Sequence, residues 1–187
     1  MEESLKQGPP DEQLICVTCG LCCDGTLFLR AHLEPGERGT GDLPQWIEKN
    51  SMTEDGKDYF RLPCRYFCEK CTIYQLKRAV VCSSFRCHLL EDFAEGKVTI
   101  PEALDIVREA MTMRNLLTEQ YRQFSGRSED ICFMQLLKDL GKNQNANSGG
   151  EAYDRDIDIL QARCNILEAL LIRHFRPAGD FNRMIMS

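Results

Sequence analysis

Cys16-Val17-Thr18-Cys19-Gly20-Leu21-Cys22-Cys23 is the stretch that decides how this chain is read. Two residues separate Cys16 from Cys19, and two more separate Cys19 from Cys22. That spacing lets paired thiolates reach one tetrahedral ion. Gly20 supplies the left-handed or tightly turned backbone that such a knuckle needs. Cys22 and Cys23 are adjacent and point in different directions, so one joins Cys16 and Cys19 while the other reaches a second centre. A further block follows at Cys64, Cys68 and Cys71, and then come Cys82 and Cys87. Nine of the eleven cysteines therefore lie between Cys16 and Cys87, and only Cys132 and Cys164 lie beyond.

What clustered cysteines mean depends on compartment. Residues 1–12 are polar and acidic, with no apolar stretch of signal-peptide length. No run approaches the ~18 apolar residues that a membrane span requires. The expectation is a cytoplasmic protein with no membrane partner, held where thiols stay reduced and structural disulfides are rare. In that setting a cysteine cluster binds metal, so a metal ion is the first partner expected. The remaining composition, 43% hydrophobic and 28% charged over 187 residues, is that of a globular chain.

A net charge of −6 speaks against a nucleic-acid partner. Residues 64–90 depart from the acidic average, setting Arg65, Lys70, Lys77, Arg78 and Arg86 against the single acid Glu69. Cations near thiols favour the thiolate form that ligates metal. Four thiolates on a divalent ion leave a net charge of about −2, which flanking cations offset.

The chain divides near residue 95. Residues 1–95 form a cysteine-rich, zinc- or iron-chelating region, and residues 96–187 form a helical region packing on it, either as two units or as one continuous domain. In the first part, 26–30 and 59–62 read as short strands forming a small β-ribbon, with a Gly- and Pro-rich loop at 34–42 and a turn at 54–58 between them. In the second, Thr99-x-x-Glu102 with Pro101 signals a helix start. Ile106, Ala110, Met113, Leu117, Tyr121 and Phe124 then mark one helical face up to Gly126. A helix from Ser128 to Leu140 with its stop at Gly141, a linker over 142–150, and a last helix over 151–175 complete the pattern. The face of that last helix carries Tyr153, Ile157, Leu160, Cys164, Leu167 and Leu171. The fold expected is mainly α: an irregular, metal-stapled N-terminal half with a small β-ribbon, and a helical C-terminal half.

Context speaks against two familiar motifs, though not against an iron–sulfur cluster. The C-x2-C-x2-C start is ferredoxin-like, but no Cys-Pro closes it. Cys64-x3-Cys68-x2-Cys71 has the spacing of radical S-adenosylmethionine enzymes. However, Lys70 stands where an aromatic residue is usual, and the 116 residues after Cys71 are too few for a β/α barrel.

Taken together, the Cys16-x2-Cys19-Gly20-x-Cys22-Cys23 head, Cys64, the Cys71-Thr72-Ile73-Tyr74 step and the closing Cys82 and Cys87 resemble the bacterial CxxCxxCC cysteine-cluster family of zinc- or iron-chelating domains. The resemblance covers about residues 16–90. It implies Cys16, Cys19, Cys22, Cys23, Cys64, Cys71, Cys82 and Cys87 as metal ligands, enough for two tetrahedral centres or for one cluster plus one ion. Two departures stand out: Lys77-Arg78-Ala79 replaces the usual Arg-Pro, and Cys82 is followed by Ser83. Cys68 falls outside the pattern. Zinc is the first cofactor expected, since the ligands are split between distant blocks as in cross-braced structural sites; iron or an iron–sulfur cluster is the other. One longer family member is a flagellin lysine methylase with an iron–sulfur centre. The resemblance therefore also implies, as an alternative, an iron–sulfur-dependent redox or protein-modifying enzyme of methylase-like character. A metal-stabilised module for an unidentified protein partner is a third reading. No catalytic residue is readable. His32, His88, His174 and Trp46 read as surface, capping or packing residues, and Cys132 and Cys164 as core thiols.

Overall fold

The computed structural model describes residues 10–126, 131–146 and 155–176. The cysteine head begins as a helix, α1 (Pro10–Cys19), with Asp11 and Glu12 in its first turn where they complement the helix dipole. Its ten residues carry too little apolar periodicity to announce it in the sequence. Gly20 ends it at φ 62°, the left-handed conformation expected of that residue.

The expected two-stranded ribbon is a three-stranded antiparallel sheet. It comprises β1 (Arg30–His32), β2 (Ser51–Glu54) and the central β3 (Lys57–Arg61). Asp55 and Gly56 both take positive φ, which makes the turn between β2 and β3 a tight hairpin. Pairing of the first strand starts at Arg30, opposite Arg61, rather than at Thr26. Thr26 and Leu27 are drawn into the interior instead, and the Asp24 carboxylate accepts the Thr26 amide at 2.8 Å, holding a turn where a strand was expected. Between β1 and β2 lies α2 (Gln45–Lys49). After β3 come a two-residue ribbon, β4 (Phe67–Cys68) with β5 (Lys70–Cys71), and the short helices α3 (Val81–Ser84) and α4 (His88–Ala94).

The rest of the described residues are mostly helical, and the fold is mainly α. Thr99 and Glu102 form the full capping box of α5 (Ile100–Ser125), and Gly126 closes it at φ 64°. Ala103, Val107, Ala110, Leu117, Thr118 and Tyr121 form its buried face. Phe124, expected on that face, is 42% exposed. The buried stripe drifts around a 26-residue helix, and Phe124 has rotated off it by the last turn.

The next helix, α6 (Phe133–Ala146), runs through Gly141 and takes up the first residues of the expected linker. Phe133, Met134, Leu136 and Leu140 are all fully buried. Their burial outweighs the roughly 1 kcal/mol that an interior glycine costs a helix. Last comes α7 (Arg155–His174), with Leu160, Cys164, Leu167 and Leu171 buried as the spacing requires. Ser128, Tyr153 and the tail beyond Arg176 fall outside the described residues.

Two apolar cores form among the described residues. The larger joins Ile15, Cys19, Leu21 and Leu27 from the N-terminal stretch to α4, α5, α6 and α7. The smaller gathers Leu33, Leu43, Ile47, Phe60, Ile73 and Ala79 beneath the sheet. Residues 30–84 thus form an excursion from a helical body that begins with α1 and resumes at α4. The chain leaves and rejoins that body where the Phe28 and Phe85 rings meet edge to face at 5.2 Å. No described helix is long and apolar enough to cross a membrane.

Candidate metal centre

Six of the eight cysteines that the resemblance nominates share one cavity, and the other two, Cys19 and Cys87, belong with the larger core. Cys16 and Cys19 lie one turn apart on α1. After Gly20, the Cys23 and Asp24 amides both donate to the Gly20 carbonyl, at 2.8 and 3.0 Å, fixing the reversal that carries Cys22 and Cys23. Cys19 is buried in the larger core, and Cys22 and Cys87 pack against it. Cys71 and Cys82 pack instead against the smaller core. Cys64 is tied to the head, its amide donating to the Cys23 carbonyl at 2.7 Å. Cys16, Cys22, Cys23, Cys64, Cys71 and Cys82 line one largely apolar cavity of about 250 Å3. All eleven cysteines are free of disulfides.

Gly20 is held there by more than its φ. A Cβ at this position would fall 1.8 Å from the Phe67 ring, which covers the knuckle from β4. Phe67 is a residue the sequence reading overlooked, and the positive-φ demand at Gly20 was the signal for a close approach of this kind.

The electrostatics are those of crowded thiols. Burial raises Cys16, Cys19, Cys22, Cys23, Cys64, Cys82 and Cys87, and repulsion from neighbouring thiolates adds to it at all but Cys87. Cys82 is pushed up to about 12. Among its sulfur neighbours, Cys16 feels Cys87 ahead of Cys71. Cys22 feels Cys19 and Cys87 ahead of Cys23. Cys23 feels Cys82 and Cys64 most, and Cys82 feels Cys64 and Cys71. So many thiols cannot ionise together without a cation to replace their protons.

Of the five bases in residues 64–90, Arg78 is the one whose charge lowers Cys16 and Cys82. It sits over the Tyr74 ring at 4.2 Å and donates to the Cys82 carbonyl at 3.3 Å. Arg86 is engaged by Glu12 in a two-pronged pair at 2.6 and 2.7 Å, and Lys77 by Asp42 at 2.8 Å. The expected cationic flank is therefore mainly one residue.

Of the other candidates, Cys68 is exposed on β4, whereas His32, exposed with its ring edge-on to Tyr59, lines the same cavity as the six thiols. Trp46 packs against the smaller core and meets Tyr66 edge to face at 6.3 Å. His174 ends α7, where burial first, then Arg173, lowers its pKa. Cys164 is fully buried, whereas Cys132 is half-buried against Gly25.

Thiolates are soft donors that suit zinc, iron or an iron–sulfur cluster, so the donor set fits such a group. The nearest carboxylate in sequence, Asp24, is taken by a partly buried ion pair with Arg114. No three His, Cys, Asp or Glu side chains among the described residues are already grouped to hold a metal ion, so binding would draw the thiols inward. No family model, curated protein or solved structure matches the chain.

Proposed function

We propose that this is a cytoplasmic metal-binding protein that chelates zinc or iron through its two cysteine blocks, the metal cross-linking the helical body to the sheet-bearing excursion. The observation that carries this reading is that Cys16, Cys22 and Cys23 from one block and Cys64, Cys71 and Cys82 from a stretch some forty residues later line a single cavity. The core beneath the sheet is small, with six buried residues, and a metal bridge would add cohesion to it. Bound zinc supplies structural cross-linking alone, whereas an iron–sulfur cluster supplies electron transfer. The chain contributes the donors, the left-handed Gly20 turn that carries Cys22 and Cys23, and the Arg78 guanidinium that offsets thiolate charge near Cys16 and Cys82.

A second reading, an iron–sulfur-dependent redox or protein-modifying enzyme, is favoured by a cleft of about 290 Å3 that reaches Cys16 and Cys82 and is walled by Glu12, Tyr74, Arg78 and Arg86. It is a place where a polar substrate could approach the thiols. Anaerobic purification from cells supplied with both metals, followed by metal and acid-labile sulfide analysis and a visible spectrum, separates the two. Colourless protein with about two zinc ions supports the structural reading. Brown protein with stoichiometric sulfide supports the enzyme. Metal-free protein whose stability is indifferent to strong chelators refutes both.

A further inference from the structure

We propose that the polar cleft beside the thiol cavity docks a protein segment in which an acidic side chain stands next to a bulky apolar one. Such docking rests on the second reading above for its place alone and requires no reaction there.

Charge comes first. The walls of the cleft come from α1, from residues 74–78, and from residues 82–86 together with α4. Two of those three walls belong to residues 64–90, the basic stretch of a chain whose net charge is −6. Among the described residues on the walls Glu12 is the only acid, and both of its oxygens accept from Arg86, at 2.7 and 2.6 Å. That pair is close to neutral. Arg78 differs, because among the described residues it makes no ion pair. It rests on the Tyr74 ring and on the Cys82 carbonyl, neither of which is an anion. A guanidinium carries five N–H donors and that carbonyl takes one, so donors remain for a carboxylate.

Two large apolar side chains share the cleft with this cation. Leu76 is 62% exposed and Phe85 38%, whereas Leu90, which also lines the cleft, is buried. An exposed leucine on its own is ordinary. Here it stands in the same concavity as an exposed phenylalanine and a guanidinium without a counter-ion, which is the composition of a recognition surface. The Phe85 ring is also held in place, edge to face with Phe28 at 5.2 Å.

The occupant follows from that combination. A bare oxyanion would engage Arg78 and leave Leu76 and Phe85 in water, whereas a carboxylate beside an apolar side chain satisfies both. At about 290 Å3 the cleft is just below the roughly 300–1,000 Å3 of small-molecule pockets, a size for side chains of a segment rather than for a whole cofactor. One guanidinium without a counter-ion is too little for nucleic acid, which needs several phosphate contacts.

The test titrates the intact 15N-labelled protein, as purified, with acetyl-Gly-Glu-Leu-Gly-amide. The controls are the same peptide with Lys for Glu, the same peptide with Gly for Leu, and inorganic phosphate. The Glu-Leu peptide should shift the amides of Ser83, Ser84 and Phe85 and bind about tenfold more tightly than either altered peptide. Arg78→Gln should abolish the preference for Glu over Lys. Leu76→Gln, a change at an exposed position, should abolish the preference for Leu over Gly. Each preference is a ratio within one variant, so a general loss of structure does not imitate it. Equal binding of the Glu and Lys peptides by the wild type, shifts confined to residues outside the cleft, or no shift at millimolar peptide would overturn the proposal. Phosphate that moves the same amides as strongly as the Glu-Leu peptide would make the cleft a small-anion site and overturn it as well. Metal content is measured separately, so each of these failures leaves the chelating reading standing.

Discussion

Replacing Gly20 by alanine tests the knuckle more directly than removing a ligand. The backbone there has φ 62°, and a new Cβ meets the Phe67 ring at 1.8 Å. Holding a non-glycine residue in the left-handed region costs about 1–2 kcal/mol. The ring atoms struck are the far end of a side chain, so Phe67 can swing away. Doing so forfeits part of its burial, about 1–2 kcal/mol for a half-covered phenylalanine. The expected loss is therefore about 2–4 kcal/mol. Gly96→Ala is the reference, because Gly96 has φ 73° but nothing within 4 Å of the place a methyl group would take, leaving only the backbone share. Urea unfolding of both variants and the wild type, with and without metal, measures each. Gly20→Ala should exceed Gly96→Ala by the packing share and should weaken metal binding as well, since Phe67 lies between Cys64 and Cys71. Equal losses in the two variants would mean that Phe67 does not cover the knuckle and that the close approach is incorrect.

Other outcomes follow from single contacts. Glu12→Gln should cost about 1–2 kcal/mol near neutral pH, reduced from a fully buried pair because Arg86 is partly exposed. The hydrogen bonds from Arg86 lower the Glu12 pKa, so this contribution is present above the ordinary carboxylate range and fades as pH falls through the lowered value. A wild-type-minus-variant difference that stays constant from pH 7 to pH 3 would contradict it. Arg78→Gln removes the charge that lowers Cys16 and Cys82, so a zinc titration across pH should show uptake shifted to higher pH, whereas an unmoved midpoint would place Arg78 outside the site's influence. Cys164→Ser introduces a hydroxyl into a fully buried position and should cost about 1–3 kcal/mol. Its metal content should stay that of the wild type, and a loss of metal equal to that of Cys22→Ser would erase the distinction between core and cavity cysteines.

The helical half was legible because its rules are local. Thr99 and Glu102 cap each other three residues apart, Gly126 needs only its own φ, and Leu160, Cys164, Leu167 and Leu171 repeat at helical spacing. What escaped the sequence depends on partners distant along the chain. Thr26–Leu29 has strand composition, but the larger core offers Leu27 full burial, and no local rule announces that competitor. The helix over Pro10–Cys19 was hidden by its thiols, which count neither as periodic apolar residues nor as polar ones. Gly141 looked like a stop, yet a helix flanked by fully buried Phe133, Met134, Leu136 and Leu140 continues past it. That Cys16, Cys22, Cys23, Cys64, Cys71 and Cys82 line one cavity was not legible, because it follows from how segments distant along the chain pack against each other.

That edge-to-face pair has a polymer-physics consequence. Bringing Phe28 to Phe85 closes a loop of 57 residues, an entropic cost of roughly 3.5 kcal/mol for a flexible chain. The cost grows only logarithmically, about 0.6 kcal/mol for each doubling of the loop. Length is therefore cheap in the interior of the excursion, but position is not, since the arm over residues 34–42 is tied down where Glu37 accepts from the Val80 amide at 2.9 Å and Asp42 pairs with Lys77 at 2.8 Å. The junction has no such latitude. There Arg176 lies over the Phe28 ring at 4.4 Å and donates to the Leu27 carbonyl at 2.9 Å, so the end of α7 grips the point where the chain departs. A shift of one residue at that junction would displace the thiols downstream of it, whereas residues added beside the open Gly36 would be absorbed as long as the Glu37 and Asp42 contacts are kept.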